Sequence, residues 1–224
     1  MSGDKMSTRK NRIALTVGCL LAFAALFTGL FVSQHMSMKN KKIDPSQFNG
    51  TLLESPREIE AFHLTGTDEA AFTNQSLQGN WTMIFFGFTQ CGYLCPTTLA
   101  ELAKMYRTLE QNGVKPLPRI VMITLDPERD SLEKLKQYST SFHPSFFAAR
   151  GEDAVVKNMT REMGVAFAKV SDPNSEDAGN YDIQHSGAIM LFNPKGQLTA
   201  FFTTPHQETL LAKDYTLLIN SQRS

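Results

Sequence analysis

The distribution of apolar and polar residues divides this chain into three stretches before any chemistry is considered. From Ile13 to Val32 no charged residue occurs, and about 20 apolar residues is the length that crosses a bilayer as a helix. Lys5, Arg9, Lys10 and Arg12 precede the run while Lys39, Lys41 and Lys42 follow it. The positive flanks therefore lean toward a cytoplasmic N-terminus without fixing it. The run is longer than the apolar core of a usual secretory signal and lacks a small-x-small cleavage site, and the short leader before it is no Arg- and Ser-rich amphipathic helix. Residues 1–12 are thus expected on the cytoplasmic side, 13–33 as a transmembrane anchor, 34–54 as a polar tether and 55–224 as a globular domain. His35-Met36-Ser37-Met38 reads as part of the tether.

Inside the globular stretch the pattern switches between strand and helix periods. Glu58 to Thr65 alternates around Ile59, Phe62 and Leu64, and with Phe72-Thr73 it predicts a short leading hairpin. Thr82 to Phe88 is almost wholly apolar, the signature of a central strand covered on both faces. After Pro96, Leu99, Leu102, Met105 and Leu109 recur at helical spacing until Asn112-Gly113. Arg119 to Leu125 predicts a second buried strand, followed by the loop Asp126-Pro127-Glu128-Arg129-Asp130. Asp130 and Glu133 have capping-box spacing for a helix through Tyr138. Asp153 to Met163 predicts a further helix, Val165 to Val170 a short strand, and Ser171 to Tyr181 a polar insertion that leads to His185. Ala188 to Phe192 and Leu198 to Phe202 flank the turn Asn193-Pro194-Lys195-Gly196, and a helix over about Gln207 to Asn220 closes the chain. Crossover units followed by a hairpin and a helix predict an α/β fold, a thioredoxin-like mixed sheet with helices on both faces.

Composition narrows the function. The chain has 224 residues, 42% hydrophobic and 20% charged, with a formal net charge of +0. Such balance exerts no long-range pull on nucleic acid, and no nucleic-acid partner is expected. Neither a Gly-x-Ser-x-Gly elbow nor a Gly-x4-Gly-Lys-Ser/Thr phosphate loop occurs. Asp126, Glu128, Arg129 and Asp130 read as a solvated, self-paired loop.

The three cysteines are too few for a disulfide framework in a chain of this length. Cys19 lies in the apolar run and reads as passive, which leaves Cys91 and Cys95 between a strand and a helix start. The positive end of a helix dipole favours thiolate, the form that attacks disulfides and binds soft metals. Redox exchange and metal binding are both open. The Cys-x3-Cys spacing leans toward metal: metal-sulfur bonds near ~2.3 Å hold two sulfurs roughly 4 Å apart, although residues four apart can still close a disulfide. His185, just before the late hairpin, is the candidate third ligand, whereas His63, His143 and His206 occupy ordinary structural positions. Two thiolates and one imidazole form a soft donor set that suits copper, above all Cu(I).

Four motifs in order, Phe-Phe-Gly-Phe-Thr-Gln-Cys-Gly-Tyr-Leu-Cys-Pro (Phe85 to Pro96), Leu-Asp-Pro-Glu-Arg-Asp (Leu125 to Asp130), Phe-His-Pro (Phe142 to Pro144) and Gln-His-Ser (Gln184 to Ser186), resemble the SCO/SenC family of cytochrome c oxidase assembly factors. The likeness runs from about Ile59 to the last helix. It implies a copper metallochaperone, anchored in the bacterial inner membrane by a single pass with its domain in the periplasm. Cys91, Cys95 and His185 would be its metal ligands for Cu(I) and Cu(II), and the copper-bearing subunit of cytochrome c oxidase or another periplasmic cuproprotein its client, with a copper-donor protein upstream. The alternative is a periplasmic thiol-disulfide oxidoreductase in which Cys91 and Cys95 are the redox pair that reduces a client's cysteines. Two departures from the family pattern stand out: Gly92-Tyr93 where Pro-Asp is usual, and Gln184 where Asp usually precedes the histidine. The lost carboxylates are expected to weaken Cu(II) more than Cu(I), with Gln184 still able to accept a hydrogen bond from the histidine.

Overall fold

A computed structural model describes residues 17–29, 43–171 and 181–223. Residues 17–29 form a helix, α1, whose side chains are exposed. The remainder of the expected anchor, and the whole of His35-Met36-Ser37-Met38, lie outside the described residues. Among the described residues no helix is long and apolar enough to cross a membrane. The main compact unit runs from Asp44 to Leu217.

That unit is built on an eight-stranded sheet of order β1-β10-β9-β4-β5-β6-β2-β3. Its strands are β1 (Thr51–Arg57), β2 (His63–Gly66), β3 (Ala71–Thr73), β4 (Thr82–Gly87), β5 (Arg119–Thr124), β6 (Phe147–Arg150), β9 (Ile189–Phe192) and β10 (Leu198–Phe202). The helices are α2 (Leu94–Gln111), α3 (Leu132–Phe142), α4 (Asp153–Met163) and α5 (Glu208–Arg223). β4, β5 and β6 run parallel and the other neighbours antiparallel, so the sheet is mixed. Every residue of β4 is buried, as its almost wholly apolar sequence requires of a strand covered on both faces. α2 turns Leu99, Leu102, Ala103, Met105 and Leu109 to the core. Met159 and Met163 of α4 are likewise buried core residues. The late hairpin lies where the sequence puts it, with β9 antiparallel to β4 from Thr82↔Phe192 to Phe85↔Ile189.

Four local differences have physical causes. β1 begins at Thr51, inside the expected tether, because its backbone pairs with β10 although its side chains are mostly exposed. α2 begins at Leu94 rather than Pro96; Tyr93 caps it, and its carbonyl accepts from Thr97 N at 3.2 Å. Pro96 sits within the first turn, where a missing N–H orphans nothing. The cap of α3 is Ser131, whose hydroxyl accepts from Lys134 N, because Asp130 turns its carboxylate elsewhere. The expected strand near Val165 does not join the sheet: β7 (Phe167–Ser171) pairs with β8 (Tyr181–His185) in a separate two-stranded ribbon.

Gly87 ends the central strand because no other residue fits there. A Cβ would lie 2.8 Å from Cys95 Sγ and 2.7 Å from the Phe85 ring, so the bare backbone lets the first turn of α2 sit directly on the strand end. Gly87→Ala is expected to lower unfolding stability by about 1–3 kcal/mol through overpacking and to make Cys95 accessible to thiol reagents; denaturant midpoints and labelling of the folded protein check both.

Candidate metal centre

The three sequence-derived candidates converge. Cys91 lies in the turn after β4, held by its N–H to Phe88 O at 3.3 Å. Cys95 stands in the first turn of α2 and is fully buried, while His185 closes β8. His185 Nε2 is 3.3 Å from Cys95 Sγ and 3.9 Å from Cys91 Sγ, and the three donor atoms lie within 4.8 Å of one another. Both cysteines are free thiols. A trigonal ion with sulfur bonds near ~2.3 Å and a nitrogen bond near ~2.0 Å would space its donors roughly 3.8–4.0 Å apart, so little rearrangement separates this arrangement from a coordination sphere.

The two sulfurs differ in charge. The Cys95 thiol donates to Cys91, and this hydrogen bond, against some opposition from burial, draws the Cys91 thiol down from its ordinary 9.0 to about 4. The Cys95 backbone N–H, at the start of α2, also points at Cys91 Sγ at 3.2 Å, as expected of an anion at a helix N-terminus. Cys95 is pushed upward, first by that same hydrogen bond to Cys91 and then by burial. The metal-free pair therefore holds one proton, on the inner sulfur. His185 Nδ1 donates to Ser186 O at 3.0 Å; a carbonyl only accepts, so in the neutral ring the Nε2 lone pair is left facing the sulfurs. Phe85 and Phe88 flank the imidazole at 6.0 and 5.9 Å between ring centres.

The loop after β5 is not the solvated element its charges suggest. Asp126 and Asp130 are 0% and 1% exposed. Asp130 accepts from Thr89 N at 3.1 Å, from the Thr89 hydroxyl and from Thr124 Oγ1 at 2.6 Å, which ties the cysteine turn to the end of β5. Asp126 pairs with Arg129 and accepts from Tyr181 Oη at 2.6 Å. Arg129 donates through Nη1 to Tyr181 O at 2.8 Å and its guanidinium lies 3.8 Å above the Tyr181 ring. Burial of the two carboxylates inside the fold overrides the expectation for a charge run. The signal that could have found it is position, since loops at the carboxyl ends of parallel strands face the sites of open α/β sheets.

The other candidates fall elsewhere. His63 lies exposed on β2, His143 stacks on Tyr106 at 4.6 Å, and His206 donates to Gly187 O at 2.6 Å. Gln184 does not orient His185: it is exposed, while Ile183, on the same strand and on the face of His185, is buried, because adjacent strand residues point to opposite faces. The Ser186 carbonyl takes that role. In the spacer, Gly92 is exposed and Tyr93 is 78% exposed.

The charge asymmetry predicts a pH profile. Because the folded protein releases the Cys91 proton at lower pH than the unfolded chain, the stabilisation this contributes is complete above about pH 9 and is lost as pH falls through about 4. Within the pair, alkylation of metal-free protein is therefore expected at Cys91 and not at Cys95, at a rate that holds down to about pH 5 and falls as pH approaches 4, read by mass spectrometry of the labelled peptides.

The SCO1/SenC family model matches residues 51–220. An SCO2-like protein of Rickettsia prowazekii is 32% identical over 199 residues, covering 88% of this chain and 92% of the relative. Yeast Sco1 with copper bound superposes with a TM-score of 0.66 at 30% identity, covering 74% of this chain and 90% of the yeast structure. Arabidopsis thaliana ScoI with copper bound gives a TM-score of 0.65 at 28% identity over 72% of this chain and 97% of that one. The fold is the thioredoxin-like Sco fold. With the family model matching residues 51–220 and a relative 32% identical over 88% of the chain, this chain belongs to the SCO1/SenC family.

Proposed function

We propose that this protein is a copper metallochaperone that binds the ion through Cys91, Cys95 and His185 and delivers it during assembly of the copper centre of cytochrome c oxidase. The observation that carries the reading is the grouping of two sulfurs and one imidazole within 4.8 Å. Two thiolates and a neutral imidazole favour copper over the hard cations, which seek oxygen donors. Solved Sco structures from yeast and Arabidopsis hold copper. The ion is cargo, and the chain's own part is to present a ready donor set at a half-exposed sulfur. The apolar run at residues 13–33, with charged residues on both flanks, supports a single-pass inner-membrane anchor with the domain in the periplasm. The client is the copper-bearing oxidase subunit or another periplasmic cuproprotein, loaded in turn by a copper donor.

A specific observation favours a second activity on the same residues. A half-exposed thiolate at Cys91 beside a buried, protonated Cys95 is the unequal pair that thiol-disulfide exchange uses, and such a pair would reduce the cysteines of a copper-site client.

The full chain, reduced, is expected to bind one copper ion. His185→Ala is expected to weaken binding by at least roughly 100-fold, since losing only a residue that orients a ligand costs about 10–100-fold. Competition titration against a chelator of known affinity checks this, and unchanged affinity and spectrum in the variant would sink the three-ligand site. The same variant should retain disulfide reductase activity if exchange is also a function, because exchange needs only the two sulfurs.

A further inference from the structure

Among the described residues, β8, which carries His185, forms strand pairs only with β7 and has no ladder with β4, whose end carries the cysteine turn. A neighbouring residue of the turn, Thr89, is tied to Asp130 at the end of the β5 loop, and β5 itself pairs with β4 from Thr82↔Arg119 to Gly87↔Thr124. On one side His185 is joined through Ser186-Gly187-Ala188 to β9, which pairs with β4 at Phe85↔Ile189; at the other end of β8 the ribbon is held by side chains that cross to it from that loop.

Arg129 makes this crossing. Its Nη1 donates to the carbonyl of Tyr181, the residue that opens the strand His185 closes, and its guanidinium carbon lies 3.8 Å from the centre of the same tyrosine ring. The ring's hydroxyl returns to Asp126, the ion-pair partner of Arg129, and reaches Glu128 at 3.2 Å. Glu128 in turn accepts from Lys169 of β7 at 3.3 Å. Tyr181 is therefore gripped at its carbonyl, its face and its hydroxyl. Arg129 and the imidazole share Phe88 as a neighbour, its ring centre 6.0 Å from the guanidinium carbon and 5.9 Å from the His185 ring centre. Its Nη2 is buried without a hydrogen-bond partner among the described residues. A buried charge left partly unpaired is a poor way to gain stability, and a directional clamp is what a planar guanidinium does well.

We propose that Arg129 is a positioning residue for the metal centre, clamping Tyr181 so that the ribbon holds His185 within bonding range of the cysteine pair. This inference rests on the copper reading above. In the full chain, Arg129→Gln is expected to bind copper about tenfold more weakly, within the range known for residues that orient a ligand. X-ray absorption of the loaded variant should show both sulfurs retained and the nitrogen contribution reduced relative to wild type. Adding His185→Ala to Arg129→Gln should then cause less further loss than His185→Ala causes alone, the sign of coupled sites. In the metal-free protein, amide exchange at Gln184 to Ser186 should quicken. A nitrogen donor and affinity unchanged from wild type, with only the thermal midpoint lowered, would overturn the proposal and reduce Arg129 to a stability residue. Should Arg129→Gln not fold, Tyr181→Leu removes the ring under the guanidinium and carries the same expectation, and a nitrogen donor and affinity unchanged from wild type there overturn it equally. A wild-type chain that binds no copper, or binds it without a nitrogen donor, defeats the copper reading itself, and that result is seen before any variant is made.

Discussion

A carboxylate with almost no contact with water, that of Asp130, holds the end of the central strand to its neighbour. A buried charge is tolerated only when its oxygens are saturated with donors, and here Thr89 and Thr124 saturate them from two different segments. The requirement works in both directions. The acid fixes the turn in which Cys91 sits, and the turn supplies the donors without which the acid could not remain there. Everything facing the sulfurs is built outward from this junction: α2 starts against Gly87, and the loop that carries Asp130 reaches across to the ribbon.

Much of this was legible in the sequence because it follows from periodicity. The almost wholly apolar run Thr82 to Phe88, the helical spacing of Leu99, Leu102 and Leu109, and the turn around Asn193 to Gly196 each have one physical solution, and the structure adopts it. The cysteine pair was legible from its place at a helix start, and His185 from the order of motifs. What did not show was whatever depends on partners distant in sequence. β1 carries a mostly exposed pattern and exists because β10 offers a free edge. β8 is only half-patterned and exists because β7 folds against it. Asp126 and Asp130 looked solvated because a run of charges cannot state that hydroxyls and a guanidinium will surround it.

The arrangement divides labour between stiff and separable parts. The sulfurs belong to a strand end and a helix start inside one continuous sheet-and-helix unit, so their separation is set by backbone. The nitrogen belongs to a ribbon outside the sheet, with Ser186 N to Ala166 O at 2.9 Å closing its base. Ser186 also sets which ring nitrogen faces inward. Preparing the lone pair and placing it are thus tasks of different residues.

Gly87 gives the site a direction. Because the strand backbone lies directly beneath Cys95, with the helix turn around it, that sulfur has no side open to solvent. Cys91 and His185, by contrast, are each only partly buried. The site has a closed floor, and an ion, a thiol or a partner's ligand arriving from outside meets Cys91 or the imidazole before it meets the inner sulfur.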